Sequence, residues 1–131
     1  MFAFRLTRAS GTPPYLQLVQ QVRQGVLLGY LREGDQLPLI REVVEQVAIN
    51  PNTVSKAYRQ LEQEGLVTPR PGVGTFVTGA VQHGVRPADY VRLRRGLDRW
   101  LRDARAAGLS DEEIEALVSV AQRESVTQDI A

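Results

Sequence analysis

Asn50-Pro51-Asn52-Thr53-Val54-Ser55-Lys56-Ala57-Tyr58-Arg59-Gln60-Leu61 is the stretch on which the reading of this chain turns. Asparagine is favoured just before a helix, and proline is favoured at its first position because that amide has no intrahelical partner. Val54, Ala57, Tyr58 and Leu61 then recur at i, i+3, i+4 and i+7, the spacing of one buried helical face. The opposite face carries Asn52, Ser55, Lys56, Arg59 and Gln63, all able to donate hydrogen bonds. A helix of this kind suits a DNA major groove, where Asn pairs with adenine, Lys with guanine, and Ser or Thr with a base edge or phosphate. An ordinary solvated amphipathic helix has the same pattern, so the flanking segments have to discriminate.

Upstream, Pro13-Pro14 introduces a helix from about Tyr15 to Gly29, with Leu18, Val19, Val22, Val26 and Leu27 as its apolar face. Residues 1–10 lack punctuation and read as an edge strand or a loose arm. Glu33-Gly34-Asp35 is a turn, and Pro38 opens a second helix to about Val47, with Ile40, Val43, Val44 and Val47 facing inward. Only Ala48-Ile49-Asn50 separates that helix from the next, which is the helix-turn-helix layout. Downstream, Gly65 ends the helix, and Leu66–Arg70 and Thr75–Thr78 read as two strands around a Pro71-Gly72-Val73-Gly74 turn. A hairpin attached directly to a helix-turn-helix is a wing. Because isolated hairpins are marginal, this one is expected to pack on the helices through Leu66 and Phe76.

Gly79 to about Arg86 reads as a linker, with Gly79, Gly84 and Pro87 as breakers. A helix from about Ala88 to Ala107 follows, with Val91, Leu93, Leu97, Trp100, Leu101 and Ala104 as its apolar members. Ser110-Asp111-Glu112-Glu113 is a capping box that starts a last helix with Ile114, Leu117, Val118 and Ala121 on one face. Two such helices are too thin to bury both faces unaided. They require a partner, either the front domain or the same element of a second chain.

The expected fold is therefore mainly α with a small β-hairpin. Residues 1–78 form a winged helix-turn-helix domain, 79–87 a linker, and 88–131 a two-helix dimerisation segment. At 131 residues, 43% apolar and 24% charged, the composition is that of a globular protein. The absence of cysteine excludes disulfides and thiolate chemistry and fits a cytoplasmic location. No apolar run approaches the roughly 20 residues that span a bilayer, so no membrane association is expected. A net charge of +1 gives nucleic-acid binding no support by itself, and any basic surface has to be local. The balance is +2 up to Thr78, eight basic against six acidic residues, and −1 after it, eight against nine.

The front half resembles the GntR family of bacterial transcription regulators, in its short YtrA-like branch. The resemblance rests on an ordered series: Pro14-Tyr15-Leu16-Gln17-Leu18, Gly29-Tyr30-Leu31, Gly34-Asp35-Gln36-Leu37-Pro38, Arg41-Glu42, Asn50-Pro51-Asn52-Thr53-Val54, Tyr58, Leu61-Glu62, Glu64-Gly65-Leu66-Val67 and Gly72-Val73-Gly74-Thr75-Phe76-Val77. It covers residues 13–78, and the tail resembles that branch only by length and helix count. What it implies is a DNA-binding regulator, most simply a repressor, that binds an inverted-repeat operator as a homodimer. Arg41 then matches a DNA-contacting arginine of the second helix, Asn50, Pro51, Asn52, Thr53, Ser55 and Lys56 the tip and first turn of the recognition helix, and Gly72 and Gly74 the wing tip. Three departures from the family pattern matter. Leu39 replaces a small polar residue, Ala48 replaces a glycine in the turn, and Pro51 and Ser55 stand where many relatives place arginines. Base readout then rests on Asn52, Thr53 and Lys56, in part through DNA shape.

Arg59 is expected at a phosphate or in a salt bridge with Glu62 or Gln63, and Arg70, beside the wing tip, at a phosphate or the minor groove; Arg23 and Gln17 read mainly as solvated face. Leu97, Trp100, Leu101, Ile114, Leu117, Val118 and Ala121 are the expected dimer interface. His83, the only histidine, has no companions for a metal site, and no cofactor is expected. The acidic run at Asp111 is explained by the helix N-terminus beside it. Two other function classes compete. Some relatives carry a fused aminotransferase-like domain, which needs a far longer chain and a cofactor-binding lysine, whereas the sole lysine here is in the recognition helix. A protein-interaction winged helix would ignore DNA and salt. Two tail helices would enclose a small-molecule effector only between domains or across a dimer interface, and the sequence names no effector.

Overall fold

The computed structural model describes residues 2–79 and 85–130. The element order is α1 (Pro14–Leu27), α2 (Ile40–Val47), α3 (Pro51–Gln63), β1 (Val67–Arg70), β2 (Gly74–Val77), α4 (Pro87–Ala106) and α5 (Asp111–Ile130). The chain divides into two compact units, Met1–His83 and Gly84–Ala131. His83 itself, and most of the expected linker, lie outside the described residues; Pro87, expected in the linker, is the first residue of α4.

In the first unit α1 and α2 both pack on α3. Leu18, Val19 and Val22 of α1 meet Val43 of α2 and Val54, Ala57 and Leu61 of α3 in a core with no exposed surface. Leu27, expected inside, is 53% exposed at the last turn of α1. Ile40, also expected inside, is exposed because it opens α2 ahead of the packed turn; Val43 is the buried residue and Val44 and Val47 are half-buried.

The arm before α1 is neither strand nor loose. Phe4 is buried in the core, with Phe2 edge-on to it at 5.1 Å. Gln17, read as solvated, is buried and acts as the arm's anchor. Its Nε2 donates to the Thr7 and Thr12 carbonyls at 3.0 Å, and its Oε1 accepts from the Thr7 amide at 2.9 Å. A buried amide needs all of its donors matched, and these three bonds supply the match.

The wing is antiparallel, with Val67 opposite Val77 and Arg70 opposite Gly74. Its buried anchors are Val67 and Val77; Leu66 and Phe76, expected in that role, are half-buried. The segment read as a simple turn also covers the free edge of β2. Gly34 N donates to Val77 O, Leu37 N to Thr75 O and Val77 N to Asp35 O, each at 2.8 Å. This third rung of backbone pairing is what a two-stranded ribbon requires to hold its shape.

In the second unit the capping box forms as read. Ser110 Oγ accepts from the Glu113 amide at 3.1 Å, and Glu113 Oε1 accepts from the Ser110 amide at 3.0 Å. These bonds hold the Glu113 carboxyl below its ordinary value of 4.5. Among the described residues of this unit only Ala104 and Ile114 are buried hydrophobics. Ile114, expected at an intermolecular contact, has little surface left for a second copy.

Candidate nucleic-acid interface

Asn50 stands just before α3 in extended conformation, and its Oδ1 accepts from the Asn52 amide at 2.8 Å. That bond fixes where the helix begins and uses the Asn50 carbonyl, leaving its amide nitrogen as the group free to reach outward. Pro51 has no N–H, and the Thr53 and Val54 amides donate to the Asn50 backbone carbonyl at 3.0 and 3.4 Å, so the start of α3 is satisfied within the chain and offers a phosphate only the positive end of its dipole.

Asn52, Lys56 and Arg59 are exposed along one line of α3, as the spacing requires, with Gln63 continuing it. Thr53 and Ser55 are half-buried at the margins of that line, so they present a hydroxyl and not a whole side chain. No ion pair of Arg59 forms among the described residues; the carboxylate at that end of the helix, Glu64, instead takes Arg23 in a two-pronged pair at 2.8 Å. Arg23, read as solvated face, thus ties α1 to the C-terminal end of α3.

Lys56 does not project freely. Its Nζ lies 3.9 Å from the centroid of the Tyr15 ring on α1. On the wing, the Arg70 guanidinium lies 4.4 Å from the Phe76 centroid, on the diagonal neighbour across the two strands. Both contacts are within cation–π range. Arg41 is exposed on the first turn of α2.

The turn into α3 carries a cost. Ala48 adopts φ 50° and ψ 57°, the left-handed region, and it is the only non-glycine residue among those described with positive φ. Arg8, which sequence reasoning overlooked, donates to the Val47 and Ala48 carbonyls at 3.4 Å and covers the α2 C-terminus with a cation. The N-terminus of α2 lacks a side-chain cap, because Leu39 has no acceptor; Glu42 Oε1 accepts from the Leu39 amide at 2.9 Å instead. Tyr58 braces the same corner from beneath, donating to Pro38 O at 2.6 Å. Burial first, and the Glu42 charge second, push its phenol well above its ordinary value of 10.0.

At the wing tip, the two glycines serve different ends. Gly72 has φ 77° and open space around it, so its requirement is conformational and its surroundings leave room for a groove wall. A side chain at Gly74 would collide with the Gln36 amide, which donates to Val73 O at 3.1 Å and holds the tip in place. That amide is the end of an exposed, flexible side chain and can shift, so the firmer demand for glycine at position 74 is its φ of 151°.

These parts together are a winged helix-turn-helix with a polar reading face, two aromatic-backed cations and a glycine-tipped wing. The sequence model for bacterial regulatory proteins of the gntR family matches residues 14–77. The chain is 35% identical over 105 residues, 80% of its length and 81% of the relative's, to the HTH-type transcriptional repressor YtrA of Bacillus subtilis (strain 168). Among solved structures it is similar to YtrA from Sulfolobus acidocaldarius, a GntR-family transcription factor, with TM-score 0.55 and 30% identity over 77% of this chain and 99% of that one. It is also similar to AraR(DBD) in complex with operator ORX1, with TM-score 0.50 and 26% identity over 60% of this chain and 93% of that one. The chain belongs to the GntR family of bacterial transcription regulators, in its YtrA-like branch. Its front unit is a DNA-binding domain of that family.

Proposed function

We propose that this protein represses transcription by binding an inverted-repeat operator as a homodimer. In this reading α3 enters the major groove, with Asn52, Thr53 and Lys56 reading bases, while Asn50, Ser55, Arg59 and Arg41 hold phosphates and Arg70, Gly72 and Gly74 border the minor groove. The observation that carries it is the single exposed line of Asn52, Lys56 and Arg59 on α3, unobstructed by any ion pair within the described residues. The operator in the AraR complex and the repressor role in the name of the Bacillus relative point the same way.

The dimer is inferred from the second unit. Leu97, Trp100 and Leu117 are exposed, and with Val118, Ala121 and Val126 they border one apolar groove of about 660 Å³ between α4 and α5. An apolar groove of this kind, in a helical hairpin that buries few hydrophobic side chains, is suited to the same face of a second copy. Leu101, expected at the same contact, is half-buried and does not line this groove.

Repression is tested with a reporter promoter carrying the bound site. Transcription should fall when the protein is supplied and recover with Arg41→Ala, which should also weaken binding to every duplex and flatten its salt dependence. Transcription that rises on adding the protein would assign activation instead.

A further inference from the structure

We propose that Tyr15 is a positioning residue for base readout, its ring on α1 fixing the direction in which Lys56 of α3 reaches the DNA. The proposal rests on the reading of Lys56 as a base contact and goes beyond it by assigning a role to a residue on a different helix.

Lys56 is the only lysine of the chain, and it stands in a recognition helix whose first turn holds no arginine. The distinction matters physically. An arginine fork carries its own geometry, whereas an ammonium is a point charge at the end of a flexible four-carbon stem, with no preferred direction. Direction then has to come from the surroundings, and here a ring supplies it at 3.9 Å. The ring is itself fixed. Tyr15 is half-buried, packs against the core and sits in the first turn of α1, whose own buried face locks it to α3. An ammonium resting on an aromatic face turns some of its three N–H groups away from the ring, so these stay available for acceptors on a base edge. Arg70 over Phe76, at 4.4 Å, repeats the arrangement on the wing. Both proposed DNA-facing cations with an aromatic contact are thus backed by a ring from another element.

A double-mutant cycle tests it, using the full chain and a duplex recovered by selection from a random pool, together with all single-base-pair variants of that duplex. Lys56→Ala should lose discrimination at particular base pairs. Tyr15→Leu should lower discrimination at those same pairs by about two- to fivefold, with unchanged binding to scrambled DNA and an unchanged salt slope. Tyr15→Phe keeps the ring and should behave as wild type. In the Lys56→Ala background, Tyr15→Leu should have no further effect on discrimination. The proposal is overturned if Tyr15→Phe weakens all duplexes equally, which would make the hydroxyl a direct phosphate contact, or if the Tyr15 and Lys56 effects simply add. Should Lys56→Ala matter while Tyr15→Leu does not, Tyr15 alone loses its role; should Lys56→Ala leave discrimination intact, the Lys56 reading falls as well.

Discussion

At the scale of single residues, three side chains carry sharply different consequences. Tyr58 is buried and gives its one proton to the Pro38 carbonyl, so Tyr58→Phe removes the bond and strands a buried acceptor. A loss of about 1–3 kcal/mol in unfolding free energy is expected from denaturant titration. Because the folded state raises the phenol's pKa, its contribution is fully present below pH 10.0 and fades as the pH climbs above it. Wild type should therefore lose stability above that pH, and Tyr58→Phe should lose less. In the proposed function Asn52 and Lys56, both exposed, serve readout and not folding. Their replacement by Ala should leave stability within about 0.5 kcal/mol, as for exposed positions, and cost about 1–3 kcal/mol on the selected site. Arg70→Ala should weaken cognate and scrambled duplexes alike in competition titrations, since the minor groove offers little sequence information. If instead Arg70→Ala erases discrimination and the two α3 variants retain it, DNA is read through the wing.

At the scale of elements, the turn between α2 and α3 is strained by Ala48, whose left-handed backbone costs about 1–2 kcal/mol for a residue with a Cβ. Ala48→Gly relieves it but adds freedom to the unfolded chain, so a net gain of up to about 1 kcal/mol is expected by thermal unfolding; a loss would show that the turn is not under strain. The family resemblance pointed to this strain, since Ala48 stands where relatives usually carry a glycine. The helix starts at Asn50-Pro51 and Ser110 were equally legible, being local chemistry. What escaped was everything that depends on distant partners. The burial of Gln17 and Phe4 is decided by an arm that folds back on α1, and Arg23 pairs with a residue 41 positions away. Pairing of residues 34–37 with β2 leaves no local signature either, since it was hidden inside a turn motif. The aromatic seats of Lys56 and Arg70 likewise depend on packing. For α5, the depressed Glu113 carboxyl means that its cap contributes above pH 4.5 and is lost as the pH falls below it. Helicity of the tail should drop in that range in wild type and not in Glu113→Gln, whose amide keeps the cap without titrating.

At the scale of the whole molecule, the proposed function divides the labour of a regulator between the two units: α3 of the first is the proposed reading face, and the apolar groove of the second is the proposed seat for a second copy. Sedimentation equilibrium at micromolar concentration should give twice 14.6 kDa for wild type. Trp100→Asp should give the monomer, since burying an unpaired carboxylate at the groove is costly; a wild-type monomer, or a dimer that survives this change, would remove the tail from the interface. No helix among the described residues is long and apolar enough to cross a membrane. The central claim, that two copies of α3 read a symmetric operator in successive major grooves, is tested most directly by selecting bound duplexes from a random DNA pool at salt between about 50 and 200 mM. The expected result is an inverted repeat with half-sites about one helical turn apart, bound by two chains, with affinity falling steeply across that salt range. Recovery of no repeat, or of a site bound equally well at both ends of the range, would contradict it.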